Sequence, residues 1–358
     1  MKVTFVTSES FIDHSYTMIE ELRKHLDLKV FVQGKNYNDE IQNWCSICNA
    51  EFIQMERFRN PSRLKHELNL LKKVEIEKSD VIWFNTFSVV QAYLAKKRFK
   101  NLVVNIHDVE LHTEEKDYHG ILSQKITYRK FKERMCTMSH AQAEIFEKNN
   151  SFYPNVLQLP IINYYEKTSE ADVPKEKNMD RIRFLFFGST LPYKGIETLL
   201  DAVDILSEQT NKFELYIHGR LKYNIETLTK RFSDSGHINF FNEFVDYKNV
   251  YKLYSQNDVT VIPYKQVSQC GPLLISYNQN IPVITNDLPG FREYVDDNES
   301  GLIFNNSAES LAEKMKMIID NPFIIKSMSS YISTRVKEKF SMPALAESYI
   351  KVFKKYAD

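Results

Sequence analysis

Short apolar runs alternate along the chain with longer stretches in which apolar residues recur every three or four positions. The short runs, bounded by polar and turn residues, predict strands that are buried on both faces. The longer stretches predict amphipathic helices. Strands that are joined in turn by helices favour parallel sheets covered on both faces.

The pattern predicts the first group of elements between the N-terminus and residue 138. Strands are expected at Val3–Val6, Leu28–Val32, Val81–Phe84, Leu102–Ile106 and Arg134–Met138. Helices are expected at Ser15–His25, Pro61–Lys78, Val89–Phe99 and Leu122–Glu133. The polar stretch 163–180 has little to bury and is predicted to be a linker.

The alternation restarts after this stretch. Strands are expected at Arg181–Phe187, Phe213–His218, His237–Phe241, Val259–Pro263 and Ile281–Thr285, and helices at Gly195–Ser207, Ile225–Phe232, Lys248–Ser255 and Pro272–Gln279. We therefore predict an α/β protein of two doubly wound, Rossmann-like domains facing across a cleft. Its expected parts are an N-terminal domain at 1–165, a linker at 166–180 and a C-terminal domain at 181–340. The final helix, within 341–358, has no strand after it and is expected to pack back on the N-terminal domain.

Composition removes several classes of function. Lys and Arg together number 47, as do Asp and Glu, and this balance argues against a nucleic-acid binder. No apolar run approaches the roughly 18 residues of a membrane span, and the chain opens on a strand, so a cytoplasmic location is expected. Four cysteines cannot form a disulfide framework. Cys45 and Cys48 form a lone CxxC, which favours two structural thiols over a redox dithiol or half of a zinc site.

In doubly wound sheets, ligands bind beyond the carboxyl ends of the strands. Thr7-Ser8-Glu9-Ser10 follows the first predicted strand without a glycine, and neither GxGxxG nor a P-loop occurs in the chain. Dinucleotide oxidoreductases and P-loop NTPases therefore lose support.

The C-terminal domain carries two predicted anion sites. Its first strand ends at Gly188, where a ligand can approach the backbone, and Lys194 lies near the start of the next helix. A second loop enters a helix at Pro272, so that the amides of Cys270 and Gly271 face outward. Together these sites predict a cradle for the phosphates of a nucleotide. A solvated surface position for Lys194 is the alternative.

Four segments, in the same order as in a known family, carry a resemblance. Segments 186–202, 249–259, 281–295 and 300–304 resemble the family-4-type, or group 1, glycosyltransferases of the GT-B fold. Lys194-Gly195 stands in the strand–lysine–glycine–helix signature, and Glu293 stands in the run that ends in an acidic residue. The resemblance spans about 181–320 and is much vaguer over 1–160.

This resemblance implies a UDP- or GDP-linked sugar donor as substrate, with no cofactor and no metal, and transfer with retention of configuration. Lys194 would contact the diphosphate and, with His107, act in catalysis. The donor-binding residues that it implies are Gly188, Ser189, Lys194, His218, Gly219, Arg220, Ser268, Gln269, Cys270, Gly271 and Glu293. A helix-capping or loop-capping role for the Glu293 carboxylate stays open.

Two departures from the family pattern matter. Ser189 stands where the family commonly has an arginine, which removes one cation expected at the diphosphate. The two positions of the family's Glu-x7-Glu pair fall on Val267 and Ile275. Ser268–Gly271 is similar to a variant of some bacterial members, in which backbone amides would bind phosphate and sugar.

In the N-terminal domain, the strand Val103–Ile106 ends in His107-Asp108. We expect both residues on the acceptor side, with His107 near the donor sugar and the acceptor hydroxyl. The alternative is a histidine that fixes the following loop, where His112 and His119 also lie.

Residues 57–134 hold 17 Lys or Arg against 10 Asp or Glu. The basic clusters 57–59, 96–100 and 128–132 include aromatic residues, which fits an anionic membrane surface or a lipid-diphosphate acceptor. Solvated helix faces are the alternative.

The sequence therefore predicts a metal-independent hexosyltransferase that acts on a saccharide or lipid-linked saccharide acceptor in bacterial surface polysaccharide biosynthesis. It would work in the cytoplasm or at the inner face of the membrane. A nucleotide-sugar epimerase of the same fold and a catalytically silent partner subunit are the alternatives.

Overall fold

The computed structural model describes residues 1–56, 62–86, 88–110, 125, 127–129, 131–163 and 180–357. The chain forms two compact units, one of Met1–Tyr165 with Ser341–Asp358 and one of Glu166–Phe340. Most of the predicted linker 166–180 and much of the predicted helix Leu122–Glu133 lie outside the described residues.

Among the described residues, the first unit contains a seven-stranded parallel sheet in the order β3-β2-β1-β4-β5-β6-β7. Its strands are β1 (Lys2–Ser8), β2 (Asp27–Gly34), β3 (Ala50–Gln54), β4 (Val81–Phe84), β5 (Leu102–Ile106), β6 (Met135–Thr137) and β7 (Asn155–Val156). The prediction of a doubly wound parallel sheet is confirmed, and its order reverses between β1 and β4. The edge strands β3 and β7 were not predicted, because β3 has one fully buried residue and β7 has two residues in all.

Before the second unit begins, the described residues of the first unit form the helices α1 (Ile12–Leu22), α2 (Asp39–Ile47), α3 (Arg63–Ile76), α4 (Val89–Arg98) and α5 (His140–Asn150). Cys45 lies in α2 and Cys48 caps its C-terminal end, and both thiols are free and buried. Burial raises the pKa of Cys45 to about 11 and that of Cys48 to about 12. The lone CxxC therefore consists of two protonated thiols in the structural core.

Within the described residues, the second unit contains a six-stranded parallel sheet in the order β10-β9-β8-β11-β12-β13. Its strands are β8 (Ile182–Phe187), β9 (Phe213–His218), β10 (Ile238–Phe241), β11 (Val259–Ile262), β12 (Val283–Asn286) and β13 (Gly301–Phe304). Its helices are α6 (Ile196–Ser207), α7 (Ile225–Asp234), α8 (Tyr247–Ser255), α9 (Gly271–Asn278), α10 (Pro289–Arg292), α11 (Ala308–Asp320), α12 (Phe323–Tyr331) and α13 (Lys337–Phe340), with a π-helical turn at Ile332–Val336. The order of this sheet reverses between β8 and β11.

The last helix, α14 (Met342–Tyr356), belongs to the first unit. The buried Tyr349 hydroxyl donates to the carbonyl oxygens of Leu157 and Gln158, at 3.1 and 2.9 Å. The Phe353 ring lies 5.1 Å from the ring of Trp83, and both are buried. These contacts make α14 part of the first unit's core. Across the residues that the structure describes, no helix is long and apolar enough to cross a membrane.

Candidate functional site

A pocket of about 310 Å³ opens at the carboxyl edge of the second sheet, beside the point where its strand order reverses. Such a reversal leaves a crevice that binds ligands in doubly wound sheets. The pocket is lined by residues from the ends of β8, β9 and β10, namely Phe187, Gly188, Ser189, Gly219, Arg220, Lys222, Glu243, Phe244 and Val245.

Two glycines form the floor of this pocket. The Gly188 amide donates to the carbonyl of His218 at 2.8 Å, which continues the pairing of β8 and β9. Gly219 has a φ of +153°, and a Cβ at this position would overlap the carbonyl oxygen of Gly188. Gly188 has a φ of +125°. Only glycine fits both positions without strain, so the floor is bare backbone that a ligand can approach.

Lys194 lies beside this floor. It belongs to a 3₁₀ turn, Pro192–Lys194, and Gly195, with a φ of +69°, separates it from the start of α6. A Cβ on Gly188 would lie 2.8 Å from the Lys194 Nζ, so the ammonium group contacts the glycine directly. The same Nζ lies 5.4 Å from the centre of the Tyr264 ring. Lys194 was predicted near the start of a helix, and the structure places it in the turn before that helix.

Within the part of the chain that the structure describes, no carboxylate balances the charge of Lys194. Burial lowers the pKa of Lys194, the Cys270 thiol opposes this, and the positive charge of Lys222 lowers it further. Among the described residues, no carboxylate contributes to the electrostatic environment of this ammonium group. A partly desolvated cation without a carboxylate partner is costly, and a bound anion would offset that cost.

The loop before α9 supplies a second set of donors. Cys270 is the N-cap of α9 and Gly271 its first residue, so the first-turn amides have no partner within the helix. Ser268 and Cys270 are buried, and burial raises the pKa of the Cys270 thiol to about 12. The buried Tyr264 hydroxyl has no hydrogen-bond partner among the described residues. These groups could bind a phosphate or a sugar hydroxyl near Lys194.

The structure brings four of the eleven predicted donor residues together in the pocket lining. Gly188, Ser189, Gly219 and Arg220 line the pocket. His218 does not, because its ring stacks on Phe241 at 4.2 Å. Burial lowers the pKa of His218, and its Nδ1 has no partner among the described residues.

Of the other predicted donor residues, Ser268 and Gln269 lie in the loop before α9, and Glu293 lies directly after α10. Glu293 follows α10, and it is half-buried. A Cβ on Gly290 of that helix would lie 3.0 Å from Val267, next to Ser268 and Gln269. Glu293 is not part of the pocket lining.

Sequence reasoning missed three polar or aromatic residues of the lining: Lys222, Glu243 and Phe244. The Arg220 guanidinium lies 5.9 Å from the centre of the Phe244 ring, and the Lys222 amide donates to the Thr190 hydroxyl at 3.3 Å. Gly219 was predicted because ligands bind beyond the carboxyl ends of the strands in such sheets. Lys222 lies three residues further along the chain and would have been included by a longer search window. Phe244 lies in an irregular loop after β10, where the sequence carries no comparable signal.

In the first unit, His107 directly follows β5. The Asn85 main-chain carbonyl lies 2.8 Å from its Nε2, and a carbonyl can only accept, so this nitrogen carries a proton. In the neutral ring, Nδ1 is then the basic nitrogen. The imidazole stacks on Phe11 at 4.0 Å. The Asp108 carbonyl oxygen accepts from the Tyr128 hydroxyl at 2.9 Å.

His112, His119 and the basic cluster 57–59 lie outside the described residues.

A further cavity of about 290 Å³ lies in the first unit. It is lined mainly by hydroxyl, amide and charged side chains: Ser8, Glu9, Ser10, Gln33, Gly34, Lys35, Met55, Arg63, Thr86, Ser88 and Gln91. Several of these follow β1 and β4, where this sheet also reverses its order. Gln33 donates to the Thr86 carbonyl at 3.2 Å and accepts from Gln91 at 2.8 Å, so its amide is held in one orientation. In the sequence, Ser8-Glu9-Ser10 at a strand end was interpreted only as evidence against a dinucleotide-binding motif. The cavity that these residues line was not predicted.

Comparison with solved structures identifies the architecture. HepE of Anabaena, solved with UDP and glucose, superposes with a TM-score of 0.77 at 15% identity, covering 99% of this chain and 100% of that one. Sucrose-phosphate synthase of Thermosynechococcus elongatus gives 0.75 at 15% identity, covering 99% of each chain. WaaG, a glycosyltransferase of lipopolysaccharide biosynthesis, gives 0.65 at 15% identity, covering 96% and 98%. At these identities the likeness shows the fold, which is that of GT-B glycosyltransferases.

Sequence comparison finds similarity to glycosyltransferases, and the family-model match falls in the second unit. An uncharacterized glycosyltransferase of Methanocaldococcus jannaschii, MJ1069, is 23% identical over 199 residues. These residues make up 54% of this chain and 50% of that protein, so the match spans half the length of the relative. Residues 167–338 match the family model for glycosyl transferases group 1. The second unit, which carries Lys194 and its pocket, therefore matches the model of the glycosyl transferases group 1 family, and the chain has the GT-B fold.

Proposed function

We propose that this protein is a glycosyltransferase that takes a sugar from a UDP- or GDP-linked donor. The observation that carries the proposal is the Lys194 ammonium group, which lies half-buried beside a glycine floor without a carboxylate partner among the described residues. Arg220 and Lys222 add two cations to a lining with one carboxylate, Glu243. A diphosphate would offset this excess of positive charge.

The reaction breaks the bond between the anomeric carbon and the diphosphate oxygen and forms a bond to an acceptor hydroxyl. The hydroxyl proton leaves with the nucleoside diphosphate. Negative charge grows on the diphosphate as the sugar departs, and groups that strengthen their contact with that charge lower the barrier. Lys194, Lys222 and the amides of Cys270 and Gly271 are the groups proposed for this role.

The nucleoside would occupy the part of the pocket that Phe187, Phe244 and Val245 line, next to the glycine floor. Phe244 offers a ring face there, and Arg220 lies against that ring. The neighbouring Val245 and Phe187 are apolar and suit a base rather than a phosphate. HepE, which shares the fold, was solved with UDP-glucose. The sequence and the geometry are compatible with UDP or GDP.

The acceptor would bind the first unit. We assign it the cavity at the reversal point of the first sheet, because fixed amides such as Gln33 and hydroxyls such as Ser88 suit the hydroxyl groups of a saccharide. His107 and Asp108 follow the adjacent strand β5 on the same sheet edge. The role proposed for His107 is contact with the transferred sugar or the acceptor hydroxyl.

Retention of configuration, independence of divalent metal and a place in surface polysaccharide assembly are further parts of the proposal. They rest on the family resemblance and, for the pathway, on the fold shared with WaaG. An epimerase of the same fold and a silent partner subunit are the competing functions.

Incubation with a panel of UDP- and GDP-sugars distinguishes these functions. Slow release of the nucleoside diphosphate from one donor, unchanged by EDTA and lost in Lys194→Ala, is expected of the transferase. Conversion of one nucleotide sugar into another would identify an epimerase. No turnover of any donor would identify the silent subunit. Lys230→Ala, on an exposed position of α7, is the matched control.

A further inference from the structure

Of the described residues that line the proposed nucleotide pocket, one carries a carboxylate. It is Glu243, in the turn that follows β10, and its amide donates to the Phe241 carbonyl oxygen at 3.0 Å. The side chain is exposed, and in the part of the chain that the structure describes its carboxylate forms no hydrogen bond or ion pair. Arg220 and Lys222 line the same pocket without pairing with it. Both carboxylate oxygens of Glu243 are therefore available to a ligand.

The next residue along the chain places a flat surface beside this carboxylate. Phe244 follows Glu243 directly, and its side chain is 60% exposed. The Arg220 guanidinium lies 5.9 Å from the centre of the Phe244 ring, and Phe187 and Val245 add apolar surface to the lining. Stacking of a base on an aromatic ring is favourable for every base, because each has a π-face. Phe244 would therefore hold a base, and the polar group next to it would decide which base is bound.

The imidazole closest in charge terms to Glu243 does not neutralise it. Burial lowers the pKa of His218, and the negative charge of Glu243 opposes that shift. An imidazole with a lowered pKa is mostly uncharged at neutral pH. The His218 ring stacks on Phe241 at 4.2 Å, and its Nδ1 has no partner among the described residues. His218 therefore supplies no counter-charge for the Glu243 carboxylate.

An unpaired carboxylate is unfavourable in a pocket that binds a diphosphate. It repels the phosphates and lowers the affinity, unless the same ligand offers it hydrogen-bond donors. The base and the ribose are the parts of a nucleotide that carry such donors. Because GDP and UDP share the ribose, only a contact with the base would make the carboxylate selective between them.

Guanine, uracil and adenine present different edges to such a group. Guanine carries two adjacent donors, N1–H and the exocyclic N2–H, which match the two oxygens of a carboxylate. Uracil carries one N–H between two carbonyl oxygens, and a carboxylate repels both. Adenine carries its amino group beside N1, which only accepts. Of these three bases, guanine alone can bind a carboxylate through two parallel hydrogen bonds.

We propose that Glu243 binds the N1–H and N2–H groups of guanine and thereby selects a GDP-linked sugar over a UDP-linked one. This inference rests on the proposed transferase function and narrows its donor to one base. Both bases can stack on Phe244, but only guanine pairs with the carboxylate beside that ring. A uracil there would leave the Glu243 carboxylate unpaired, and a site built for hydrogen bonds rejects a ligand that cannot form them.

Isothermal titration of the full chain with GDP, IDP, ADP and UDP tests the proposal. We expect GDP to bind about tenfold to 100-fold more tightly than UDP or ADP, the range of a charge-assisted hydrogen bond. IDP keeps N1–H but lacks the exocyclic amino group, so it should bind about tenfold more weakly than GDP. ADP separates pairing from stacking, because adenine and guanine have the same fused rings. Equal binding of GDP and ADP would attribute the preference to stacking and would overturn the proposal.

Glu243→Gln should weaken GDP binding without weakening UDP binding. GDP should bind about tenfold more weakly, because an amide offers one acceptor atom where a carboxylate offers two. UDP should bind as tightly as before or more tightly, because a negative charge leaves a pocket that holds a diphosphate. Retained UDP binding also shows that the variant is folded. Glu313→Gln, at an exposed position of α11, is the matched control and should leave every affinity unchanged.

The other outcomes are distinct from one another. UDP binding at least as tightly as GDP in the unaltered protein would overturn the choice of base and leave the proposed transferase intact. An unchanged GDP affinity in Glu243→Gln would also remove the carboxylate from base recognition. An equal loss for GDP and UDP would assign Glu243 to the ribose that both share. Binding of no nucleotide at all would overturn the proposed function itself, and this inference with it.

Discussion

The Lys194 ammonium group touches Gly188 so closely that a Cβ on the glycine would lie 2.8 Å from the Nζ. A side chain at position 188 would therefore have to displace the end of the Lys194 side chain. Because Gly188 also has a φ of +125°, any other residue would strain the strand end.

Gly188→Ala should displace the ammonium group and weaken nucleoside-diphosphate binding by about tenfold to 100-fold, the range of a lost charge-assisted hydrogen bond. Isothermal titration with UDP and GDP measures the change. Gly236→Ala is the control, since an added Cβ at that position meets nothing within 4 Å. Unchanged affinity in Gly188→Ala would mean that the nucleotide does not depend on this contact.

We expect Lys222 to supply the positive charge that an arginine at position 189 commonly supplies in the family. It lines the same pocket as Ser189 and contributes to the lowered pKa of Lys194. Lys222→Ala should therefore weaken nucleotide binding by about tenfold. Adding Ser189→Arg to that variant should recover most of the affinity, because a cation returns to the pocket. If Lys222→Ala binds normally, Lys222 lies too far from the diphosphate to matter.

Nucleotide affinity should fall as pH rises through the pKa of Lys194 in the free protein. Burial places that pKa below its ordinary value of 10.5, and a bound diphosphate favours the charged form. Affinity should drop by roughly tenfold per pH unit above the free-protein pKa until the pKa of the complex is reached. Lys194→Arg should remove the drop, because a guanidinium group stays charged.

The stability of the unliganded protein should change with pH in the opposite direction. Between the lowered pKa of Lys194 and 10.5, the unfolded chain binds more protons than the folded one. The free energy of unfolding should therefore rise with pH in that window, relative to Lys194→Met. Denaturant titrations at several pH values measure it, and parallel curves for both proteins would contradict the lowered pKa.

Tyr349→Phe should destabilise the first unit by about 1–3 kcal/mol, because the Leu157 and Gln158 carbonyls would lose a buried donor. Urea unfolding measures the difference. Tyr37→Phe is the control, since Tyr37 is 49% exposed. A loss in Tyr349→Phe no larger than in Tyr37→Phe would mean that water satisfies the two carbonyls.

The sequence predicted the central strands of both sheets because they are buried on both faces and read as continuous apolar runs. Val81–Phe84 and Leu102–Ile106 were predicted with the bounds that the structure gives. The edge strands β3 and β7 lack such runs, because β3 has one buried residue and β7 consists of two half-buried residues. Helix α2 was missed because its apolar residues are few and interrupted.

The candidate donor site was predictable where it depends on strand ends and turns, as for Gly188 and Gly219. It was not predictable where residues distant in sequence combine, as for Phe244 after β10. His218 shows the limit of the strand-end rule, because the pleat turns its ring toward Phe241 instead of the pocket. The cavity of the first unit combines Gln33 and Arg63, whose proximity only the folded sheet creates.

The position of α14 has a consequence for synthesis of the chain. Trp83 and the carbonyls of Leu157 and Gln158 leave the ribosome early, but the helix that covers them is made after the entire second unit. The N-terminal half must therefore wait with an uncovered aromatic core, a state in which chaperones commonly bind nascent chains. Release of α14 from the ribosome, and not completion of the N-terminal sheet, should be the event that finishes its folding.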